Sequence, residues 1–120
     1  MTIRVLTLLL TLALLASPAM AADPEPTLKK IKRTNTIALG YRESSRPFSF
    51  VGDDGKPSGY SVDLCTRVAA ALGKELALPN LQTKWVKLTV ENRMQSVMNG
   101  TVDLECGSTT ASLKRQEQVD

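Results

Sequence analysis

At 120 residues, with 15 Lys and Arg against 12 Asp and Glu, the chain carries a formal charge of only +3 and has no basic stripe interleaved with aromatics, which speaks against a nucleic-acid partner. It contains no histidine, so the commonest general base and the commonest metal ligand are both missing. A chain this short allows one small domain with a modest core.

Residues 1–21 read as a secretory signal peptide. Arg4 supplies the positive start, residues 5–15 form an almost unbroken apolar run, and Ser17-Pro18-Ala19-Met20-Ala21 offers small residues for cleavage after Ala21. The run of about 11 residues falls well short of the roughly 20 needed to span hydrocarbon. Its removal takes one Arg and no acid, leaving 14 basic and 12 acidic side chains. In an exported chain Cys65 and Cys106 either form one disulfide or stay as two buried thiols, and spacing alone leaves both open. Residues 22–26 are an acidic, proline-bearing leader.

Thr27 is placed to cap a short helix over residues 28–33. Its basic last turn suits the negative helix end, and Thr34-Asn35 breaks it. Lys29, Lys30, Lys32 and Arg33 then make a solvated helix face. A strand follows over Thr36–Tyr41, where Ile37, Leu39 and Tyr41 alternate with Thr36 and Ala38. Residues 47–51 read as a second short strand, and residues 52–57, Gly-Asp-Asp-Gly-Lys-Pro, are dense turn chemistry.

Ser61 is expected to cap a helix reaching about Leu72, with Val62, Leu64, Cys65, Val68, Ala69 and Leu72 at helical spacing and Gly73 near the stop. Asp63 in its first turn complements the positive helix end without any ligand. After the Pro79-Asn80 turn, residues 82–88 read as a strand bearing Trp85, Val86 and Leu88. Thr89 is expected to cap a helix over residues 90–99 that Asn99-Gly100 ends. Residues 102–106 are the last strand, and the loop from Gly107 to Thr110 leads into a final helix from Ala111.

The order α, β, β, α, β, α, β, α implies right-handed crossovers onto a largely parallel sheet flanked by helices, an α/β fold. In open α/β sheets ligands sit beyond the carboxyl ends of the strands. Three segments fall there: Arg42, residues 89–93, and residues 107–110. A guanidinium offers a planar fork of donors matched to a carboxylate, and hydroxyls and helix N-termini add more. A small ligand carrying carboxylates is the guest this pattern suits. The competing reading makes Arg42 and Arg93 surface partners of Glu43, Glu91 or Glu105, and makes Ser108, Thr109 and Thr110 helix caps. Glu105 alternates with Leu104 and Cys106 and is expected on a solvated face, with orientation of Arg42 or Arg46 as its alternative.

The stretches Gly40-Tyr41-Arg42-Glu43-Ser44-Ser45, Pro47-Phe48-Ser49, Gly59-Tyr60-Ser61, Asn92-Arg93, Asn99-Gly100-Thr101-Val102-Asp103 and Glu105-Cys106-Gly107-Ser108-Thr109-Thr110 resemble, in this order, the periplasmic solute-binding proteins of polar-amino-acid ABC importers, glutamate/aspartate-binding branch. The resemblance implies a type II periplasmic-binding-protein-like lobe over residues 27–120, incomplete and lacking the second lobe, so that its open site holds ligand weakly. It also implies that Arg93 grips the ligand α-carboxylate, that Ser108 and Thr110 add hydrogen bonds, and that Arg42 reads a side-chain carboxylate. Thr89, Gly107 and Thr109 would support them. Val90 stands where the family pattern places a serine, which removes one hydroxyl. The implied partners are L-glutamate or L-aspartate and an inner-membrane ABC permease, with no cofactor and no metal, for a monomer in the periplasm. An enzyme on this scaffold, similar to the cyclohexadienyl dehydratases, is the alternative, and it would need a poised acid or base that a chain without histidine is ill equipped to supply. A ligand-binding domain of a larger sensor or wall-degrading protein is the third reading.

Overall fold

The strand Thr36–Tyr41 (β1) organises the molecule because both of its faces are covered. Ile37, Ala38, Leu39 and Gly40 are all buried, the near-continuous apolar run of a strand between two helical layers. The computed structural model describes residues 25–119. The signal peptide, its cleavage after Ala21 and the start of the leader lie outside them. β1 pairs in parallel with Gln82–Lys87 (β5) on one side and Leu104–Cys106 (β6) on the other, giving the order β5-β1-β6.

The first helix, Thr27–Thr34 (α1), starts one residue earlier than expected, and Thr27 lies inside it instead of capping it. Its first turn is closed by Lys30 N–H donating to Pro26 O at 3.0 Å, so the proline takes the cap position. Asn35 ends α1 in the left-handed conformation at φ 50°. The basic cluster is not uniformly solvated. Lys29 and Lys32 are exposed, Arg33 pairs with Glu25 at 2.8 Å, and Lys30 turns inward to Asp103 and the carbonyl of Gly100.

Between β1 and the next helix the chain builds a second, antiparallel sheet from Ser44–Ser45 (β2), Ser49–Val51 (β3) and Pro57–Ser58 (β4). The expected strand over residues 47–51 therefore shrinks to its last three residues, and two further strands appear. Two-residue strands carry no period to detect, which is why the sequence conceals them. The turn from Gly52 is as expected, with Gly55 at φ +75°.

The helix Tyr60–Glu75 (α2) begins after Gly59, not at a Ser61 cap. Gly59 sits at φ +119°, and a Cβ there would come within 2.7 Å of the Phe48 carbonyl carbon, so only glycine lets the helix start against the hairpin. α2 also continues past Gly73. The Leu78 amide folds back onto the Gly73 carbonyl at 2.8 Å, so Gly73 makes room for the returning chain instead of ending the helix. Val62, Cys65 and Ala69 are buried, whereas Leu64 and Val68 face solvent at 44% and 43% exposure.

The helix over residues 90–99 is shorter than expected, Arg93–Met98 (α3), because residues 90–92 form a turn. Gly100 closes it at φ +74°. β6 likewise starts at Leu104. Asp103 carboxylate accepts the Ala38 amide at 2.8 Å and its own amide donates to Ala38 O at 2.7 Å, so a side chain stands in for one ladder bond. The final helix is Leu113–Gln116 (α4), capped by Ser112 accepting the Arg115 amide. Ser108, Thr109 and Thr110 do not cap it.

Ile31, Ile37, Leu39, Cys65, Ala69 and Cys106 form the core under α1 and α2. Cys65 and Cys106 are bonded, with Cα atoms 6.1 Å apart, which settles the open alternative. A crosslink closing a loop of this length contributes about 2–4 kcal/mol. Trp85 meets Tyr41 edge to face at 6.3 Å. The chain forms an α/β lobe with its main sheet parallel.

Candidate functional site

The chain leaves β1 toward β5 through α2, then returns through α3 to β6 on the opposite side of β1. The strand order reverses between β1 and β6, and the crevice beyond their carboxyl ends is where open α/β sheets bind ligands. Arg42 follows β1 there, and Gly107 to Thr110 follow β6. Strand alternation puts Arg42 and Glu105 on the face of the sheet opposite Tyr41 and Cys106, which are in register with one another.

The backbone that carries these residues is fixed by neighbouring side chains. The amide of Arg42 donates to Ser49 Oγ at 2.9 Å, and that hydroxyl, fully buried, lies 3.4 Å from the Arg42 carbonyl. The hairpin thereby pins the backbone that carries the arginine. Ser61 Oγ donates to the carbonyl of Gly107 at 2.7 Å, tying the start of α2 to the loop after β6. Asn92 Oδ1 accepts the Thr89 amide at 2.8 Å, and Thr89 Oγ1 accepts the Asn92 amide at 3.3 Å. This reciprocal pair locks the turn that delivers Arg93.

The electrostatics mark the place. Arg42 and Arg93 are half-buried, and neither forms an ion pair among the described residues, while Glu43 pairs with Lys87. No close ion pair of either arginine with Glu43, Glu91 or Glu105 is present among the described residues. Arg42 Nε, Arg93 Nε, Glu105 Oε1 and Thr109 Oγ1 are buried without any hydrogen-bond partner. Unsatisfied buried polar atoms cost free energy, and each calls for an explanation. Glu91 is exposed, yet its carboxyl is held below the ordinary value, first by the Thr89 hydroxyl and then by its own backbone amide, with Arg42 and Arg93 adding attraction. Arg42 at the end of β1 and Arg93 at the start of α3 thus both lie near enough to Glu91 to favour its charged form slightly.

Of the residues expected at the site, Arg42 and Gly107 lie side by side, and Glu105, expected on a solvated face, joins them. A Cβ on Gly107 would overlap Glu105 Oε1 and lie 3.2 Å from Arg42 Cγ. Arg93 opens α3, and Thr89 lies just before the turn that leads into it. Ser108 and Thr110 are exposed on the loop, and the Thr110 carbonyl accepts Arg115 at 2.8 Å. Glu105, Thr109 and Thr110 also line a cavity of about 290 Å³ beside Met94 and Arg115. A larger cavity of about 630 Å³ lies between the later half of α2 and the start of β5. It is remote from the three loops and both arginines, so size does not select the site. Ser49 and Ser61 escaped the sequence reading as site-supporting residues. Glu105 was expected on a solvated face, and the structure buries one of its oxygens. Val90, where a serine was expected by resemblance, is exposed at 54%.

Residues 37–120 match the family described as bacterial extracellular solute-binding proteins, family 3. An L-glutamate/L-aspartate-binding protein of Pseudomonas aeruginosa is 52% identical over 109 residues, covering 90% of this chain and 36% of that protein. A glutamate/aspartate import solute-binding protein of Escherichia coli is 44% identical over 117 residues, covering 94% of this chain and 39% of that protein. The chain thus spans under half the length of the curated relatives it matches. Among solved structures, a solute receptor for L-cysteine of Neisseria gonorrhoeae superposes with a TM-score of 0.66 at 30% identity, over 79% of this chain and 37% of that one.

Proposed function

Because the chain belongs to the bacterial extracellular solute-binding proteins, family 3, we propose that it serves as the ligand-capturing first lobe of an exported receptor for L-glutamate or L-aspartate. The observation that carries this reading is the pair of half-buried guanidiniums, Arg42 and Arg93, whose Nε atoms are buried without a partner and which form no ion pair among the described residues. A dicarboxylate ligand supplies the two anions they lack. Arg93 takes the α-carboxylate and Arg42 the side-chain carboxylate, each as a planar fork. Ser108 and Thr110 add hydroxyl or amide donors from the loop after β6, and Thr89, Gly107 and Thr109 support the geometry.

Charge-assisted hydrogen bonds contribute roughly 1.5–3 kcal/mol each. Two or three of them reach the roughly 4 kcal/mol of a millimolar complex before ordering costs. In this reading residues 1–21 are a cleaved signal peptide, residues 22–26 a leader, and residues 27–120 the first part of the solute-binding domain. The receptor works as a monomer in the periplasm and hands its cargo to an inner-membrane ABC permease, with no cofactor and no chemistry of its own. The names of the similar proteins from Pseudomonas aeruginosa and Escherichia coli support the ligand class.

An NMR-detected titration of the chain with L-glutamate, L-aspartate, L-glutamine and L-arginine tests it. The two acidic amino acids are expected to shift the resonances of Arg42, Arg93 and residues 107–110 with millimolar or tighter affinity. Arg93→Met should abolish the response to all four while leaving the circular dichroism unchanged. Arg42→Met should weaken acidic ligands more than L-glutamine. An equal response to L-arginine, or none to the acids by a folded chain, would sink the reading.

A further inference from the structure

Glu105 Oε1 is buried without a donor, and Arg42 Nε is buried without an acceptor. Glu105 lies on β6 and Arg42 directly after β1, its neighbour in the sheet, on the same face by strand alternation. The Glu105 carboxylate occupies the space above Gly107 and the Arg42 stem borders it: a Cβ there would overlap Glu105 Oε1, with Glu105 Cδ at 3.1 Å and Arg42 Cγ at 3.2 Å. Gly107 is not in the left-handed region, so space and not backbone conformation makes it glycine. The Glu105 carboxylate and the Arg42 stem therefore meet over Gly107, each side chain has an unpartnered buried polar atom, and Arg42 Nε, two bonds beyond Cγ, is within reach of a side-chain rotation.

We propose that Glu105 is a positioning residue that accepts the Nε–H of Arg42 and so fixes the plane of its guanidinium. This rests on the receptor reading above for its consequence and deepens it. A guanidinium held at its Nε edge by Glu105 presents its outer Nη edge to the ligand, which selects a carboxylate approaching in the bidentate geometry. Thr109 Oγ1 is the competing unpartnered group beside Glu105, but a guanidinium N–H makes the stronger, charge-assisted bond to a carboxylate. The negative charge at Glu105 also offsets one of the two cations. Raw attraction for any anion falls, and orientation decides which anion stays.

Two measurements on the full chain test this. Without ligand, the Arg42 Nε–H is expected to exchange slowly with solvent in a nitrogen-15 NMR experiment, and Glu105→Leu should remove that protection while Glu105→Gln, which keeps an acceptor, retains it. With ligand, Glu105→Leu should weaken L-glutamate about tenfold, or about 1.4 kcal/mol, and cost nothing in an Arg42→Met background. Fast Nε–H exchange in the unmodified chain overturns the proposal, as does the same loss in both backgrounds or a gain in affinity on Glu105→Leu. A protected Nε–H in a chain that ignores L-glutamate leaves Glu105 in its place and refutes the receptor reading instead.

Discussion

The two faces of β1 and β6 are built from alternate residues and differ most at their carboxyl ends. On one face Ile37, Leu39 and Cys106 are at most 1% exposed and pack under α1 and α2 around a disulfide. On the other, at the carboxyl ends, Arg42 and Glu105 hold buried polar atoms with no partner. A single step along the strand turns a side chain from the first face to the second. In the proposed reading, capture falls to the carboxyl end of the second face, and the backbone between Cys106 and Gly107 joins it to the disulfide-bonded core.

The separation can be broken most forcefully from the apolar side. Leu39→Ala leaves a cavity at a fully buried position and should lower the unfolding free energy by about 2–5 kcal/mol. Urea titration reads this, and the folded fraction should still respond to L-glutamate as before. Next comes Cys106→Ser, expected to cost about 2–4 kcal/mol under non-reducing conditions. If the joint matters, it should also weaken ligand response, since Cys106 leads directly into the loop; an unchanged response would show that Ser61 alone holds Gly107.

Gly107→Ala attacks the polar side. Its methyl must displace the Glu105 carboxylate or the Arg42 stem, so a loss of about 1–3 kcal/mol in stability is expected, together with weaker ligand response. A neutral effect on both would mean the gap is roomier than the contacts imply. The smallest effect concerns Glu91. Thr89→Val should raise its carboxyl midpoint, followed by NMR, back toward the ordinary value, because the Thr89 hydroxyl is the first cause of its lowering. A group lowered on folding stabilises the chain above its unfolded value, and that contribution disappears as pH falls through the folded one. Thr89→Val should therefore shrink the loss of stability on acidification, and an unmoved midpoint would take Thr89 out of the local field.

Elements with enough residues to show a period were legible. β1 matches its expected span, and α1, α2 and β5 are found within a few residues of theirs. Arg42, Arg93 and the loop from Gly107 were legible as candidates because strand order alone sends them to one end of a parallel sheet. What failed has physical reasons. The serines and threonines at positions 27, 61 and 108–110 looked like caps, since hydroxyls suit orphan amides. Yet Pro26 and Gly59 occupy two of those cap positions and Ser112 the third. Ser61 was free to bond Gly107 across the fold.

The amino-acid sequence by itself determined the alternation of strands and helices, the parallel sheet, and the types of side chain delivered to its carboxyl end, because these follow from local periodicity and chain order. Only the tertiary structure decided that Cys65 bonds Cys106, that Asp103 replaces a ladder bond beside Ala38, that Ser49 pins Arg42, and that one Glu105 oxygen is buried near it. Each of these joins residues from different elements. Such contacts depend on how α2, the hairpin and the loop after β6 close on one another, and no local pattern encodes that closure.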